Sequence, residues 1–315
     1  QHRPLCTTPI IDCEPPPLGM PHHLPAAISA PRREEIPMDD LFADAPKPVD
    51  GIRTGIGGWT YPAWRDNFYP RGLVQKRELE YASRHLTAIE INGTFYGAQK
   101  PATYAKWGSE TPKGFVFSLK APRHIVGARA LAGTAKQIAG FIDGGIAELG
   151  DHLGPLLWQF APQRRFDADD VEAFLDLLPD AVDGWPLRHA VEVRHPSFQC
   201  AAWLRLARAR GVATVFTDSS DYPSFADITG GFVYARLMAS REEHREGYPG
   251  LQLDAWAERA RQWARGEAPG DLPYVDARDA APVTPRETFV FFISAAKLRN
   301  PAAAMALQQR LHATR

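Results

Sequence analysis

The sequence predicts a single α/β domain, a (β/α)8 barrel over residues 51–315, and three observations carry that reading. From Gly51 onward, eight short strand-like runs alternate with helical patterns, the rhythm of β/α units that build a parallel sheet. The stretch is close to the ~250 residues that such a barrel uses. The competing doubly wound open sheet lacks its signatures: Gly55-Ile56-Gly57-Gly58 is no Gly-x-Gly-x-x-Gly fingerprint, and no Gly-x-x-x-x-Gly-Lys-Ser/Thr loop occurs.

Taken in order, residues 1–50 stand apart from this rhythm. They carry eleven of the 28 prolines, Pro15-Pro16-Pro17 among them, with little hydrophobic periodicity, so they read as a disordered tail. The chain opens on Gln1, whereas Met38 opens Met38-Asp39-Asp40-Leu41-Phe42; one expectation is that translation starts at Met38 and residues 1–37 are a gene-model artefact. The strand candidates are Ile52 to Trp59, Thr87 to Tyr96, Phe115 to Ala121, Leu153 to Phe160, His189 to His195, Val212 to Ser219, Phe232 to Met238 and Glu287 to Ser294. Helical patterns run from Leu73 to His85, Pro101 to Glu110, Thr134 to Leu149, Ala168 to Leu178, Ala201 to Arg210, Leu253 to Arg265 and Pro301 to His312. The sixth connection, Ser220 to Gly231, is too short for a full helix.

Composition bounds the function. A hydrophobic content of 44% suffices for a sizeable core, and Lys+Arg 36 against Asp+Glu 37 leaves a net charge of -1. That balance argues against a global electrostatic footprint for nucleic acid or anionic membrane. No apolar run approaches the ~20 residues needed to span a bilayer, and no basic-then-apolar leader is present. Cys6, Cys13 and Cys200 cannot make a disulfide framework and no Cys/His pair has zinc-site spacing, which fits a cytoplasmic protein.

Chemistry-bearing residues fall at strand C-terminal ends, the face on which barrels build their sites. In the second strand Ala88, Ile89 and Ile91 are apolar, while Glu90 and Asn92, two apart, share one face. A carboxylate facing a barrel interior costs several kcal/mol unless it is paired. Partners of the right kind stand on the other strands: Lys120 on the third, Gln159 on the fourth, Glu192 and Arg194 sharing a face of the fifth, Asp218 on the sixth, Arg236 on the seventh and Ser294 on the eighth. Glu90, Glu192 and Asp218 are the candidate acids and bases; Lys120, Arg194 and Arg236 suit a phosphate or carboxylate, and Asn92 and Gln159 would orient neutral oxygens. The bland alternative is a closed structural network that plugs the barrel mouth.

After the first strand, Gly57 to Pro70 holds five aromatics between Trp59 and Tyr69. Most would cap the barrel and pack on the first helix; Trp59 and Tyr61, nearest the strand end, are the candidates for stacking on a planar ligand. His124 and His195, with Glu90, Glu192 and Asp218, could supply ligands to a divalent metal, but no metal motif supports one and no cofactor is predicted. No Gly-x-Ser-x-Gly elbow is present.

Gly58-Trp59-Thr60-Tyr61, Trp64, Phe68-Tyr69-Pro70, Glu90-Ile91-Asn92-Gly93-Thr94-Phe95-Tyr96, Lys120-Ala121-Pro122, Leu153-Gly154-Pro155 with Gln159, Glu192-Val193-Arg194-His195, Asp218 and Arg236 together resemble the YecE-like family, domain of unknown function 72. The resemblance runs from about Ile52 to the C-terminal helix. It implies a TIM-barrel fold with a pocket at the strand C-termini, and no established reaction. The chain departs from the family at Val126-Gly127, where many members carry Thr-His, at Phe292-Ile293-Ser294, where many read Phe-Asn-Asn, and at Phe198, where a Trp is common.

The expectation is an enzyme acting on a small anionic metabolite, such as a sugar phosphate, by isomerase, lyase or hydrolase chemistry. A nucleic-acid binding or repair barrel is the second reading, with the aromatic loop stacking on a base. A non-catalytic ligand-binding or scaffolding protein is the third.

Overall fold

The computed structural model describes residues 45–278 and 281–313. The expectations for residues 1–44, Met38 included, lie outside the described residues. Eight parallel strands form the inner wall: β1 Ile52–Gly57, β2 Ala88–Ile91, β3 Val116–Lys120, β4 Leu153–Gln159, β5 His189–Glu192, β6 in two pieces, Ala213–Thr214 and Phe216–Thr217, β7 Val233–Leu237 and β8 Thr288–Phe292. Each pairs with the next in sequence, and β8 pairs with β1.

The split strand closes the ring. Ala213 and Thr214 pair with β5, whereas Phe216 and Thr217 pair with β7. Between them the Val215 amide donates to the Val191 carbonyl at 2.9 Å. The barrel is therefore complete, with β6 bent at its middle.

Among the described residues seven helices longer than four residues cover the wall: α1 Glu78–Ser83, α2 Pro101–Ser109, α3 Ala135–Ile142, α4 Ala168–Asp176, α5 Ala201–Ala209, α6 Gly250–Arg265 and α7 Asn300–His312. As the sequence predicts, no helix follows β6. That connection, broken by Pro223 and Gly230-Gly231, instead hydrogen-bonds the strand directly: the Thr214 amide donates to Thr229 Oγ1 at 2.7 Å, and Thr229 Oγ1 donates to the Val212 carbonyl at 2.7 Å. Elsewhere burial follows helical spacing. In α6 the residues Leu253, Trp256, Ala257, Ala260, Trp263 and Ala264 form the buried stripe, and Gly266, at φ +86°, ends the helix in the left-handed conformation that glycine adopts without strain. No helix among the described residues is long and apolar enough to cross a membrane.

Most predicted spans run a residue or two past the observed ends, the first helix starts five residues later than expected, and three spans overrun at their C-terminal ends by three residues or more, each for a local reason. The second strand stops at Ile91, because Asn92 is already helical and Gly93–Tyr96 makes one turn, pinned by Thr94 Oγ1 to the carbonyls of Ile91 and Lys120. The fifth strand stops at Glu192, and Pro196 opens a single tight turn over Pro196–Phe198. The third helix ends at Ile142, before Gly144 and Gly145.

Strand alternation splits the core in two. Outward-facing Ile89, Phe117, Leu119, Trp158, Val191 and Phe292 join the helices. Inward-facing Ala88, Val116, Leu157, Ala190, Val215, Tyr234, Phe289 and Phe291 form a separate packed layer inside the barrel. At the N-terminal end of the strands Arg53 and Arg188 both pair with Glu287, and the Arg188 guanidinium lies 5.2 Å from the Phe289 ring centre. On β1 the inward positions are Arg53, Gly55 and Gly57, and the Phe291 ring occupies the space a side chain at 55 would need.

A Cβ at Gly55 would stand 2.3 Å from the Ala88 carbonyl oxygen and 2.8 Å from the Phe291 ring. Gly55→Ala is therefore expected to destabilise the barrel by about 3 kcal/mol, the upper end for overpacking. The midpoint of denaturant unfolding checks it; an unchanged midpoint would show that β1 and β2 can part here.

Candidate functional site

The inward alternation that places Ala88, Ala190 and Tyr234 in the apolar layer places Glu90, Glu192 and Arg236 one step higher, at the C-terminal end of the strands. Arg236 on β7 reaches across the interior to β2, where Nε donates to Glu90 Oε2 at 2.9 Å and Nη2 donates to Glu90 Oε1 at 3.0 Å. Its remaining nitrogen, Nη1, donates to Glu192 Oε2 on β5. One guanidinium thus binds one carboxylate bidentately and a second end-on. All three side chains are buried, at 0 to 2% exposure.

Neutral donors complete the set. Tyr234 Oη donates to Glu90 Oε2 at 2.8 Å, and the Ser118 hydroxyl lies 2.7 Å from Tyr234 Oη. Gln159, the register partner of Glu192, donates from Nε2 to Glu192 Oε2 at 2.8 Å. Arg194 Nε donates to Glu192 Oε1 at 2.6 Å, while its Nη1 donates to Tyr222 Oη at 3.2 Å with the guanidinium 4.1 Å from the Tyr222 ring centre. Every carboxylate oxygen of Glu90 and Glu192 accepts at least one hydrogen bond, which is what burial of two charges requires.

Above this floor lies a rim. Lys120 and Gln159 are each 8% exposed, and the Arg194 side chain is 16% exposed. The Lys120 ammonium sits 4.1 Å from the Phe95 ring centre, and it makes no hydrogen bond or ion pair with a described side chain. Asn92, half-buried, stands over Gly57 with its amide nitrogen 3.5 Å from the Glu90 carbonyl oxygen.

The electrostatics differ between floor and rim. Burial pushes the Glu192 carboxyl up, but Arg236 and Arg194 with the Gln159 hydrogen bond outweigh it and hold the group at about 2. Burial pushes Lys120 down, and the neighbouring Arg236 charge pushes further; Glu90 and Glu192 offset only part of this, and the amine comes to about 8. Glu192 in the floor is held in its charged form, whereas the rim amine titrates near physiological pH.

Six of the sequence-predicted residues, Glu90, Glu192, Arg236, Gln159, Arg194 and Lys120, thus come together, with Asn92 beside them. Three do not join them. Asp218 accepts from the Met238 amide and, at 2.8 Å, from Tyr248 Oη, so it braces the end of β7; burial, its largest influence, raises its pKa. Trp59 turns outward onto Trp107 of α2, 5.2 Å between ring centres, and lines a hollow of about 490 Å³ with Lys76 and Lys106. Tyr61 packs edge-on against Trp64 with the Lys297 ammonium 4.5 Å from its ring centre. Of the histidines, His195 caps the turn after β5 through Ser197, and His124 lines a separate hollow with Tyr104 and Phe141. Among the described residues no group of three or more His, Cys, Asp or Glu could hold a metal ion. Tyr234, Ser118 and Tyr222 belong to the constellation without having been expected; Tyr234 and Ser118 sit two residues before Arg236 and Lys120, and that parity is the signal that could have found them.

Comparison with known proteins gives a consistent picture. The family model described as "Protein of unknown function DUF72" matches residues 53–315. The UPF0759 protein YunF of Bacillus subtilis (strain 168) is 32% identical over 76 residues, 24% of this chain; the match spans only about a quarter, 26%, of that relative's own length. Among solved structures, a DUF72 family protein from Thermotoga maritima MSB8 superposes with a TM-score of 0.60 at 20% identity, covering 82% of this chain and 96% of the other. One from Enterococcus faecalis V583 gives 0.60 at 17% identity, covering 84% and 98%. These structural likenesses concern the fold.

Two outcomes test the floor. Arg236→Met leaves two buried carboxylates without their shared cation and is expected to cost about 3–5 kcal/mol in a denaturant titration; a loss below ~1 kcal/mol would mean that the pairs form no buried unit. Glu192 has a folded pKa below its ordinary value of 4.5, so its stabilisation is complete above 4.5 and lost as pH falls from there towards 2. Glu192→Gln should flatten the acid limb of the stability profile in that window, and an unaltered limb would contradict the assignment.

Proposed function

Because this chain belongs to the DUF72 family of proteins of unknown function, whose membership specifies no reaction, we propose from the barrel mouth itself that it is an enzyme acting on a small anionic metabolite. One observation carries this reading: Lys120 is a mostly buried cation to which no carboxylate of the described residues is bound, set beside two arginines at the C-terminal end of the strands. Like charges gathered in a desolvated place repel, and a bound phosphate or carboxylate would relieve that repulsion.

The roles follow from depth. Lys120 and the free Nη2 of Arg194 receive the anion, and Lys120 is the group that exchanges a proton, since a guanidinium does not deprotonate in this range. The Gln159 carbonyl and the Asn92 amide orient neutral oxygens of the ligand. Glu90 and Glu192, to which the strand-end pattern gave the acid/base work, are in this reading supports: the oxygens of both are already engaged, and the Glu192 carboxyl, held at about 2, is a poor proton acceptor near neutrality. Arg236 with all three nitrogens committed is likewise a support, fixing both acids.

The folded pKa of Lys120 lies below its ordinary 10.5, so its charged form opposes folding at pH below about 8, and stability recovers as pH rises from 8 to 10.5. An anion that pairs with Lys120 lifts its pKa back. At pH 9, binding of inorganic phosphate or a small carboxylate should take up a proton, to about one per site at most, seen as a dependence of the calorimetric heat on the buffer's ionisation enthalpy. Lys120→Met should abolish that uptake and raise the thermal midpoint below pH 8, because it removes an unpaired buried charge. If no phosphate or carboxylate raises the midpoint of the unaltered protein, the proposal fails.

A further inference from the structure

We propose that Lys120 is a Schiff-base nucleophile, so that the anionic metabolite is an aldehyde or ketone whose carbonyl carbon bonds to Lys120 Nζ. This rests on the reading of the mouth as an anion site and gives that site a substrate class.

The geometry supplies what such a lysine needs. Its backbone is fixed at a strand end: β3 pairs there with β4, Lys120 opposite Leu157, and the Lys120 carbonyl accepts from Thr94 Oγ1 at 2.7 Å. Its nitrogen is held by no carboxylate of the described residues, so no ion pair among them has to break before it can react. The Phe95 ring covers one side of it, which limits hydration of the ammonium. Arg194 stands close by with an unused nitrogen to hold the substrate's anionic group. An arginine at position 120 would bind an anion as well or better; only lysine can shed its proton and attack. The groups facing Lys120 are Arg236, Arg194, Glu90 and Glu192, and their balance together with burial leaves about a tenth of the amine free at pH 7.

The step is a condensation. The Nζ lone pair forms a bond to the carbonyl carbon as the C=O π pair moves onto oxygen. The proton left on nitrogen passes to that oxygen to give a carbinolamine. A second proton, from solvent at the mouth, lets the hydroxyl depart as water while nitrogen closes the C=N bond. No oxidant, reductant or metal is required, and the iminium product draws electrons from the adjacent carbon, which opens bond-breaking or proton-transfer chemistry there.

Sodium borohydride reduces an iminium to a stable amine, so the full-length protein is incubated with glyoxylate or pyruvate, reduced, and mapped by peptide mass spectrometry. The expected result is a carboxymethyl group from glyoxylate on Lys120, formed at least tenfold faster than on any other lysine, within the roughly 300-fold larger free-amine fraction that about 8 gives over the ordinary 10.5. Lys297, also half-buried with a lowered pKa, is the internal comparator. Lys120→Arg, with its thermal midpoint recorded, should lose the fast adduct while retaining stabilisation by phosphate. Labelling spread over exposed lysines such as Lys76 and Lys106 with Lys120 unmodified, or no labelling, overturns the inference. If phosphate still stabilises the protein in that case, the anion site stands and only the covalent step falls; if phosphate has no effect either, both fall.

Discussion

The structure depends on one guanidinium. Arg236 projects from β7 and binds carboxylates on β2 and β5, strands three and two places away around the ring, so a single side chain ties widely separated parts of the wall. Burying three charges together is unfavourable unless their geometry is close to ideal and every oxygen has a donor. Tyr234, Gln159 and Arg194 provide those donors, and the floor is therefore held in position. That arrangement is also what leaves the rim out of balance: the acids are used up below, and Lys120 above them makes no ion pair with a carboxylate of the described residues.

Tyr234 joins two unlike layers. Its ring packs 5.1 Å from Phe291 in the apolar interior, and its hydroxyl donates upward to Glu90. An aromatic body with a polar tip is suited to such a boundary, since it fills volume below and satisfies a charge above. Gly55 makes the same layer possible from the other side, because only a residue without a side chain lets Phe291 lie against β1. The charged floor thus rests on ring packing that in turn rests on a glycine.

Much of this was legible in the sequence because β-strands alternate. Glu90, Glu192 and Arg236 stand out as charges within otherwise apolar runs, and a charge there has to find a partner. The barrel order, the seven helices and the missing helix after β6 follow from the same periodicities together with Pro223 and Gly230-Gly231. Alternation fails where strands end. Asp218 lies one residue beyond β6, on the opposite parity to Thr217, and so it braces the backbone of β7 instead of joining the floor. Trp59 and Tyr61 lie in a loop, where period two carries no information, and their directions are set by Trp107 and Lys297 from distant segments. Tyr234 and Ser118 escape notice because a tyrosine or serine in a strand needs no special explanation. The depth order of floor and rim, which decides which cation is left unpaired, is a property of three-dimensional stagger and has no counterpart in composition.

The ion cluster of Arg53, Glu287 and Arg188 at the opposite end, with the aromatic layer above it, fills the barrel from below, so a ligand of the proposed site would have to approach Lys120 from the C-terminal end of the strands. If the proposed condensation takes place beside Lys120, the water it releases and the arriving ligand share that one end. In the proposed enzyme departure would then pace turnover as much as arrival, and the segments after β2 and β6, which set Phe95 beside Lys120 and Tyr222 beside Arg194, are the parts of the chain on which that pace would depend.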